Sequence, residues 1–134
     1  MSTKAFAVIA GVGSGTGSSI ARRFAKEYPI ALLARNPESY EKLVQEINNS
    51  GGKAIGVSAD TSDEQSLKSA FQTIAQKYDN APCAAAIYNA SGGFVRKPFL
   101  ETKIEDLEKG WGVTVYEELP LQIRENERCR NFQY

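Results

Sequence analysis

Apolar residues in this chain fall into two alternating patterns, short continuous runs and stretches in which they recur every three or four positions. Ala5 to Ala10 reads AFAVIA, an unbroken apolar run of the kind a strand covered on both faces requires. From about Thr16 to Tyr28, Ile20, Ala21, Phe24 and Ala25 share one helical face, and Arg22, Arg23 and Lys26 take the other. Ile30 to Ala34 is a second apolar run, closed by Arg35-Asn36-Pro37. A helix from about Glu38 to Ser50 turns Leu43, Val44 and Ile47 inward, and Gly51-Gly52 ends it because glycine tolerates the left-handed cap. A third strand runs from about Lys53 to Ala59. Asp60-Thr61-Ser62-Asp63 then offers side-chain oxygens to cap a helix from about Asp63 to Tyr78, with Leu67, Phe71 and Ile74 buried. A fourth strand, about Ala84 to Tyr88, ends at Asn89-Ala90-Ser91-Gly92-Gly93. A last helical stretch spans Ile104 to about Val115, weakened by Gly110 and Gly112.

Strands alternating with helices of about 10 to 15 residues imply βαβ units and a parallel sheet. Right-handed crossovers give the expected order 3-2-1-4. The fold class is therefore α/β, a Rossmann-type doubly wound parallel sheet that is incomplete.

Composition narrows the partners. The chain has 134 residues, 42% hydrophobic and 24% charged, which places it with single globular domains. Sixteen basic and sixteen acidic residues leave zero net charge, so no nucleic-acid partner is expected. No apolar run approaches the roughly 20 residues of a membrane helix. The amino terminus carries no signal-peptide pattern, and Cys83 and Cys129 have no metal-ligand spacing, so the expectation is a cytoplasmic protein without a metal site. Histidine is absent, which excludes Ser-His-Asp and Cys-His apparatus.

Candidate chemistry centres on Gly11-Val12-Gly13-Ser14-Gly15-Thr16-Gly17, lying between a buried strand and an amphipathic helix. Such glycines let the backbone turn sharply beside a pyrophosphate, and the helix N-terminus adds N–H groups and a positive dipole end. A P-loop would need lysine and then Ser or Thr where Ser18-Ser19 stands. The common G-x-G-x-x-G spacing also fails, because its last glycine would fall on Thr16 or Ser18. G-x-x-x-G-x-G through Gly11, Gly15 and Gly17 does fit. With Asp60 after strand three and Asn89-Ala90-Ser91-Gly92 after strand four, the chain resembles the short-chain dehydrogenase/reductase family over about Lys4 to Val115.

The resemblance implies a dinucleotide held by Gly11, Gly13, Ser14, Gly15, Thr16 and Gly17. It implies Asp60 and Thr61 near the adenine, and the Asn89, Ala90 and Ser91 loop against the ribose. Asp60 reads equally as a helix cap, a task Asp63 could perform alone, and Asn89 as a pin between strand four and its neighbour. Cofactor choice depends on the end of strand two, where an NAD site places a carboxylate on the ribose 2′-hydroxyl. Ala34-Arg35-Asn36 stands there instead. A guanidinium suits a 2′-phosphate, so NADP is expected over NAD, the other reading being a solvated loop arginine. NADP-selective relatives often carry a second basic residue inside the turn, where this chain has Ser14.

The family transfers a hydride between nicotinamide and a carbonyl or alcohol carbon, with a Tyr-x-x-x-Lys acid and a supporting asparagine. Four residues after Tyr28, Tyr40, Tyr78, Tyr88 and Tyr116 come Leu32, Val44, Pro82, Gly92 and Pro120, and Tyr134 is last. No lysine appears, so no catalytic residue is expected. Trp111 to Val115 resembles the asparagine-bearing helix, with Thr114 in the asparagine's place. After Tyr116 the pattern departs abruptly, through Pro120 and the charges of Arg124 to Arg130. Residues 1–116 then form a partial NAD(P)-binding domain and 117–134 a divergent charged tail. The expectation is a longer ancestral protein interrupted by a frameshift, retained intron or early stop; the competing view is a genuine short variant. An alternative frame encoding Tyr-x-x-x-Lys in the coding DNA would separate them. Full-length relatives would be oxidoreductases acting on an unidentified small-molecule substrate. The alternatives are a non-catalytic dinucleotide-binding module or a product without independent activity. An uncovered fourth-strand edge also leads to an expectation of self-association.

Overall fold

The computed structural model describes residues 5–91 and 96–114. Strands β1 (Phe6–Ala10), β2 (Ile30–Ala34), β3 (Ala54–Ser58) and β4 (Cys83–Tyr88) form one parallel sheet in the order β3-β2-β1-β4. Helices α1 (Thr16–Phe24), α2 (Glu41–Asn49) and α3 (Glu64–Lys77) connect them, and α4 (Ile104–Thr114) follows. The expected topology is the observed one. Short-range differences are confined to element ends. α1 stops at Phe24 and continues to Tyr28 only as single turns, Ala25 N–H to the Ala21 carbonyl and Tyr28 N–H to that of Phe24. β4 begins at Cys83, and Val115, to which the last helix was expected to run, lies outside the described residues. The expected helix start at Glu38 is replaced by a 3₁₀ turn, Pro37–Ser39, before α2 begins at Glu41, because proline pre-sets the turn and Tyr40 is drawn inward.

β1 explains the unbroken apolar run at the start of the chain. Its side chains alternate between two cores, Phe6, Val8 and Ala10 on one face and Ala7 and Ile9 on the other. α3 covers the first face with Leu67, Ala70, Phe71 and Ile74, and α1 and α2 cover the second with Ala21, Leu43 and Ile47. Each large side chain sealed this way contributes roughly 1.5–3 kcal/mol. The first two crossovers lie on one face and the third returns across the other, so β4 lands beside β1. That reversal leaves a crevice at the carboxyl ends of β1 and β4.

Polar groups fix the connections. Asn48 accepts the Ala54 N–H at 2.8 Å and donates to the Ala54 carbonyl at 3.1 Å, which docks the end of α2 on the start of β3. Arg22 reaches Glu46 with both Nε and Nη2, at 2.7 and 3.0 Å, joining α1 to α2 at the surface. At the amino ends of the strands, the Tyr78 hydroxyl donates to the Ile30 carbonyl at 2.6 Å, and its ring tilts against Phe6 with centroids 5.2 Å apart. Burial pushes the Tyr78 phenol well above the ordinary tyrosine range. A phenol so placed is structural, at the end of the sheet away from the glycine turn.

Candidate functional site

The glycine turn leaves β1 at its carboxyl end, with the N–H groups of Gly11 and Val12 both donating to the Leu33 carbonyl of β2, at 3.0 and 3.3 Å. β4 closes the other side, the Asn89 N–H donating to the Ala10 carbonyl at 2.8 Å. The Asn89 amide then donates from Nδ2 to the Gly11 carbonyl at 3.0 Å. Asn89 thus pins β4 to the turn, as one of its two sequence readings required.

The four glycines of the turn divide into two kinds. Gly11 has φ +86°, and a Cβ there would run into the backbone of Asn89 and Ala90. A Cβ on Gly17 would lie 2.5 Å from the Gly11 carbonyl oxygen and 3.2 Å from Asn89 Nδ2. These two positions are jammed by the protein itself. Gly13 and Gly15 face open space, with nothing within 4 Å of an added Cβ. Glycine there is not needed for internal packing, and a bare backbone open to the outside is what a ligand approaching closely would require. Gly15 is also the N-cap of α1 and supplies no side-chain oxygen to it, while Ser18 Oγ donates to the Gly15 carbonyl at 2.7 Å. An uncapped helix start carries N–H groups suited to an anion. The residues present therefore fit a pyrophosphate at this turn.

A cleft of about 260 Å³ opens over these strand ends. Of the residues expected at the site, Gly11, Gly13, Arg35, Thr61, Asn89, Ala90 and Ser91 line it together. Ser14, Gly15 and Thr16 are exposed on the turn and the start of α1, and Gly17 is buried beneath them. Gly92 and Gly93 of the β4 loop lie outside the described residues, as do Tyr116 and the 117–134 tail. Val12, Leu33, Ala34, Asn36, Ser39 and Ala59 line the cleft as well, and sequence reasoning did not single them out. Asn36 was signalled by standing next to Arg35. Ser39 was hidden by its assignment to a helix.

Asp60 stands beside the cleft without lining it. Its Oδ1 accepts the Ser62 N–H at 2.9 Å and the Ser62 hydroxyl at 2.6 Å, and its own N–H donates to Ser66 Oγ at 2.9 Å. The Ser62 hydroxyl and N–H, with the positive charge of Arg35 beyond them, hold the Asp60 carboxyl below its usual range against the opposing effect of burial. The helix cap belongs to Asp63, whose Oδ1 accepts the Gln65 N–H at 3.0 Å. Thr61 is buried, and its Oγ1 accepts the Tyr88 hydroxyl at 3.4 Å. Tyr88 thereby ties β4 to the loop after β3 across one end of the cleft.

A family model for the short chain dehydrogenases matches residues 5–115. Meso-2,3-butanediol dehydrogenase of Serratia marcescens is 31% identical over 109 residues, covering 81% of this chain and 41% of that protein. Among solved structures, 3-ketoacyl-(acyl-carrier-protein) reductase from Brucella melitensis, complexed with NADH, has a TM-score of 0.72 at 27% identity, covering 90% of this chain and 48% of that one. A metagenomic short-chain oxidoreductase in complex with NADP has a TM-score of 0.76 at 23% identity, covering 90% of this chain and 53% of that one. The chain spans about half, or less, of each of these proteins. Among the described residues, no helix is long and apolar enough to cross a membrane.

Proposed function

This chain belongs to the short-chain dehydrogenase family, and from that premise we propose that its cleft binds a dinucleotide, NADP in preference to NAD. The family binds NAD(P). The observation that carries the reading to this chain is the division of the glycine turn, with Gly11 and Gly17 packed solid and Gly13 and Gly15 bare and open. The turn would take the pyrophosphate, and the small loop Asn89-Ala90-Ser91 would lie against the ribose. Thr61, with Asp60 behind it, would border the adenine. The NADP preference rests on Arg35, at the cleft wall where an NAD-selective site would present a carboxylate. NADH and NADP are each found with a relative of this fold, so the relatives leave the preference to this chain's own residues.

The dinucleotide supplies the hydride chemistry of the family. The residues of this chain bind and orient it, and no tyrosine here stands four positions before a lysine. The proposal is accordingly binding by these 134 residues without turnover by them alone, the whole protein acting on a carbonyl or alcohol substrate. Titration of the purified chain with NADPH and NADH, followed through cofactor fluorescence, tests it. NADPH is expected to bind more tightly, and Arg35→Ala to weaken NADPH about tenfold or more while leaving NADH unchanged. Binding of neither cofactor overturns the reading. Equal binding of both, insensitive to the substitution, overturns the NADP preference.

Self-association is proposed as well. Among the described residues β4 has one strand neighbour, β1, and Phe99, Leu100, Ile104 and Leu107 are exposed at 90%, 95%, 68% and 61%. A strand edge without a partner among the described residues, together with exposed apolar side chains, favours association. Sedimentation is expected to show mass rising with concentration, and a monomer at every concentration would count against it.

A further inference from the structure

The segment Arg35–Ser39 carries one wall of the cleft through Arg35, Asn36 and Ser39, and what holds it is at its far end. Arg35, Asn36, Pro37, Glu38 and Ser39 are all exposed. The backbone hydrogen bonds that shape the turn are local, Ser39 N–H to the Asn36 carbonyl and Tyr40 N–H to the Pro37 carbonyl, both at 3.0 Å. At its near end the sheet fixes Ala34, whose carbonyl accepts the Ala59 N–H at 3.0 Å. At its far end stands Tyr40, only 8% exposed. Its ring lies over Gly56 of β3 so closely that a Cβ on Gly56 would collide with its Cδ2–Cε2 edge. Its hydroxyl is 2.9 Å from Ser58 Oγ, two residues further along the same face of the strand.

A glycine inside a strand weakens the strand unless something needs the space. Here the tyrosine ring takes that space, and the hydroxyl finds a partner at the strand's end. The slot accepts a ring of this length in this direction, and it thereby fixes where α2 begins and where the preceding turn can lie. Ser39 and Asn36 are set on the cleft wall beside Arg35 as a result.

We infer that Tyr40, seated on Gly56 and bonded to Ser58, is a positioning residue that holds Arg35, Asn36 and Ser39 to receive the ribose 2′-phosphate. This rests on the dinucleotide reading above. Tyr40 itself does not line the cleft, so its effect on a ligand passes through that wall. The pyrophosphate would be held by the glycine turn, a different element, so loosening the wall would cost the 2′-phosphate contacts far more than the rest. A purely structural tyrosine would weaken both cofactors alike.

The test is the ratio of NADPH to NADH dissociation constants in the full chain and its variants, with far-UV circular dichroism alongside. Tyr40→Leu empties the slot and is expected to weaken NADPH about tenfold while NADH changes less than about twofold. Tyr40→Phe keeps the ring seated and is expected to restore most of the ratio. If Tyr40→Leu does not fold, Ser58→Ala carries the test. Ser58 is exposed and its loss removes only the hydroxyl's partner, with an expected change in the ratio of roughly two- to threefold. Equal changes for both cofactors, or an unchanged ratio in the variant that folds, overturn the inference. Failure of the dinucleotide reading is separately visible, because the unsubstituted chain would then bind neither cofactor.

Discussion

Gly11→Ala is expected to destabilise the chain by about 2–5 kcal/mol. Two costs add. The φ of +86° is a left-handed conformation that costs an L-residue with a side chain roughly 1–2 kcal/mol. The added methyl also meets the backbone of Asn89 and Ala90, and backbone cannot rotate aside as a side chain can. Overpacking of that kind costs about 1–3 kcal/mol. Against a total stability of the order of 5–15 kcal/mol, this one methyl removes a large fraction. Urea unfolding of the variant measures it. Gly13→Ala provides the contrast, because its Cβ would point into open space. Its stability is expected to stay within about 1 kcal/mol of the parent, with NADPH affinity falling roughly tenfold where the ligand must approach the bare backbone. A Gly13→Ala chain that binds as before would remove the turn from the ligand site, and a Gly11→Ala chain of parental stability would contradict the packing.

Asn89→Asp is the second large effect, and it carries a pH signature. The substitution keeps shape and volume but replaces the Nδ2 donor with a carboxylate oxygen facing the Gly11 carbonyl, about the 3.0 Å now spanned by a hydrogen bond. Two acceptors with no proton between them, partly removed from water, cost about 1–3 kcal/mol at neutral pH. The same surroundings disfavour the charged form, so the new carboxyl's value is raised in the folded chain above its unfolded value of about 3.9. A raised value means that the folded state binds the proton more tightly. Protonation restores a donor, and the recovered stability is complete below the unfolded value and lost as pH rises through the folded one. The gap between parent and variant is therefore expected to be wide at pH 7 and narrower near pH 4, measured by urea unfolding at both. A gap independent of pH would mean that Asn89 does not donate to Gly11.

The elements whose identity was legible from sequence are those set by local chemistry. The unbroken run Ala5 to Ala10 indicated a strand covered on both faces, and β1 is sealed by α3 on one side and by α1 and α2 on the other. Leu67, Phe71 and Ile74 recur at helical spacing, and all three are buried. What sequence did not disclose depends on contacts between distant positions. Leu43, Val44 and Ile47 mark the inward face of α2, but nothing near Tyr40 indicates that it will occupy the place of a missing side chain on Gly56. The glycine turn was recognisable as a group, yet its division into packed and open positions depends on where Asn89 and Ala90 arrive from the other side of β1. Asp60 and Asn89 each had two sequence readings. Asn89 is observed in its structural one, and for Asp60 the helix cap passes to Asp63 while the carboxyl holds Ser62.

The position of β4 has a consequence for how the cleft behaves in time. Among the described residues β1 has strands on both sides and β4 on one, so opening a single ladder removes all of β4's strand pairing. Two of the cleft's walls come from these unequal partners, Gly11 and Gly13 from the β1 side and Asn89, Ala90 and Ser91 from the β4 side. A molecule lodged between them would act as a latch on the more loosely held strand. Its binding energy would be spent against local opening of that one strand, so amide protons of β4 would be shielded by the ligand well before those of β1.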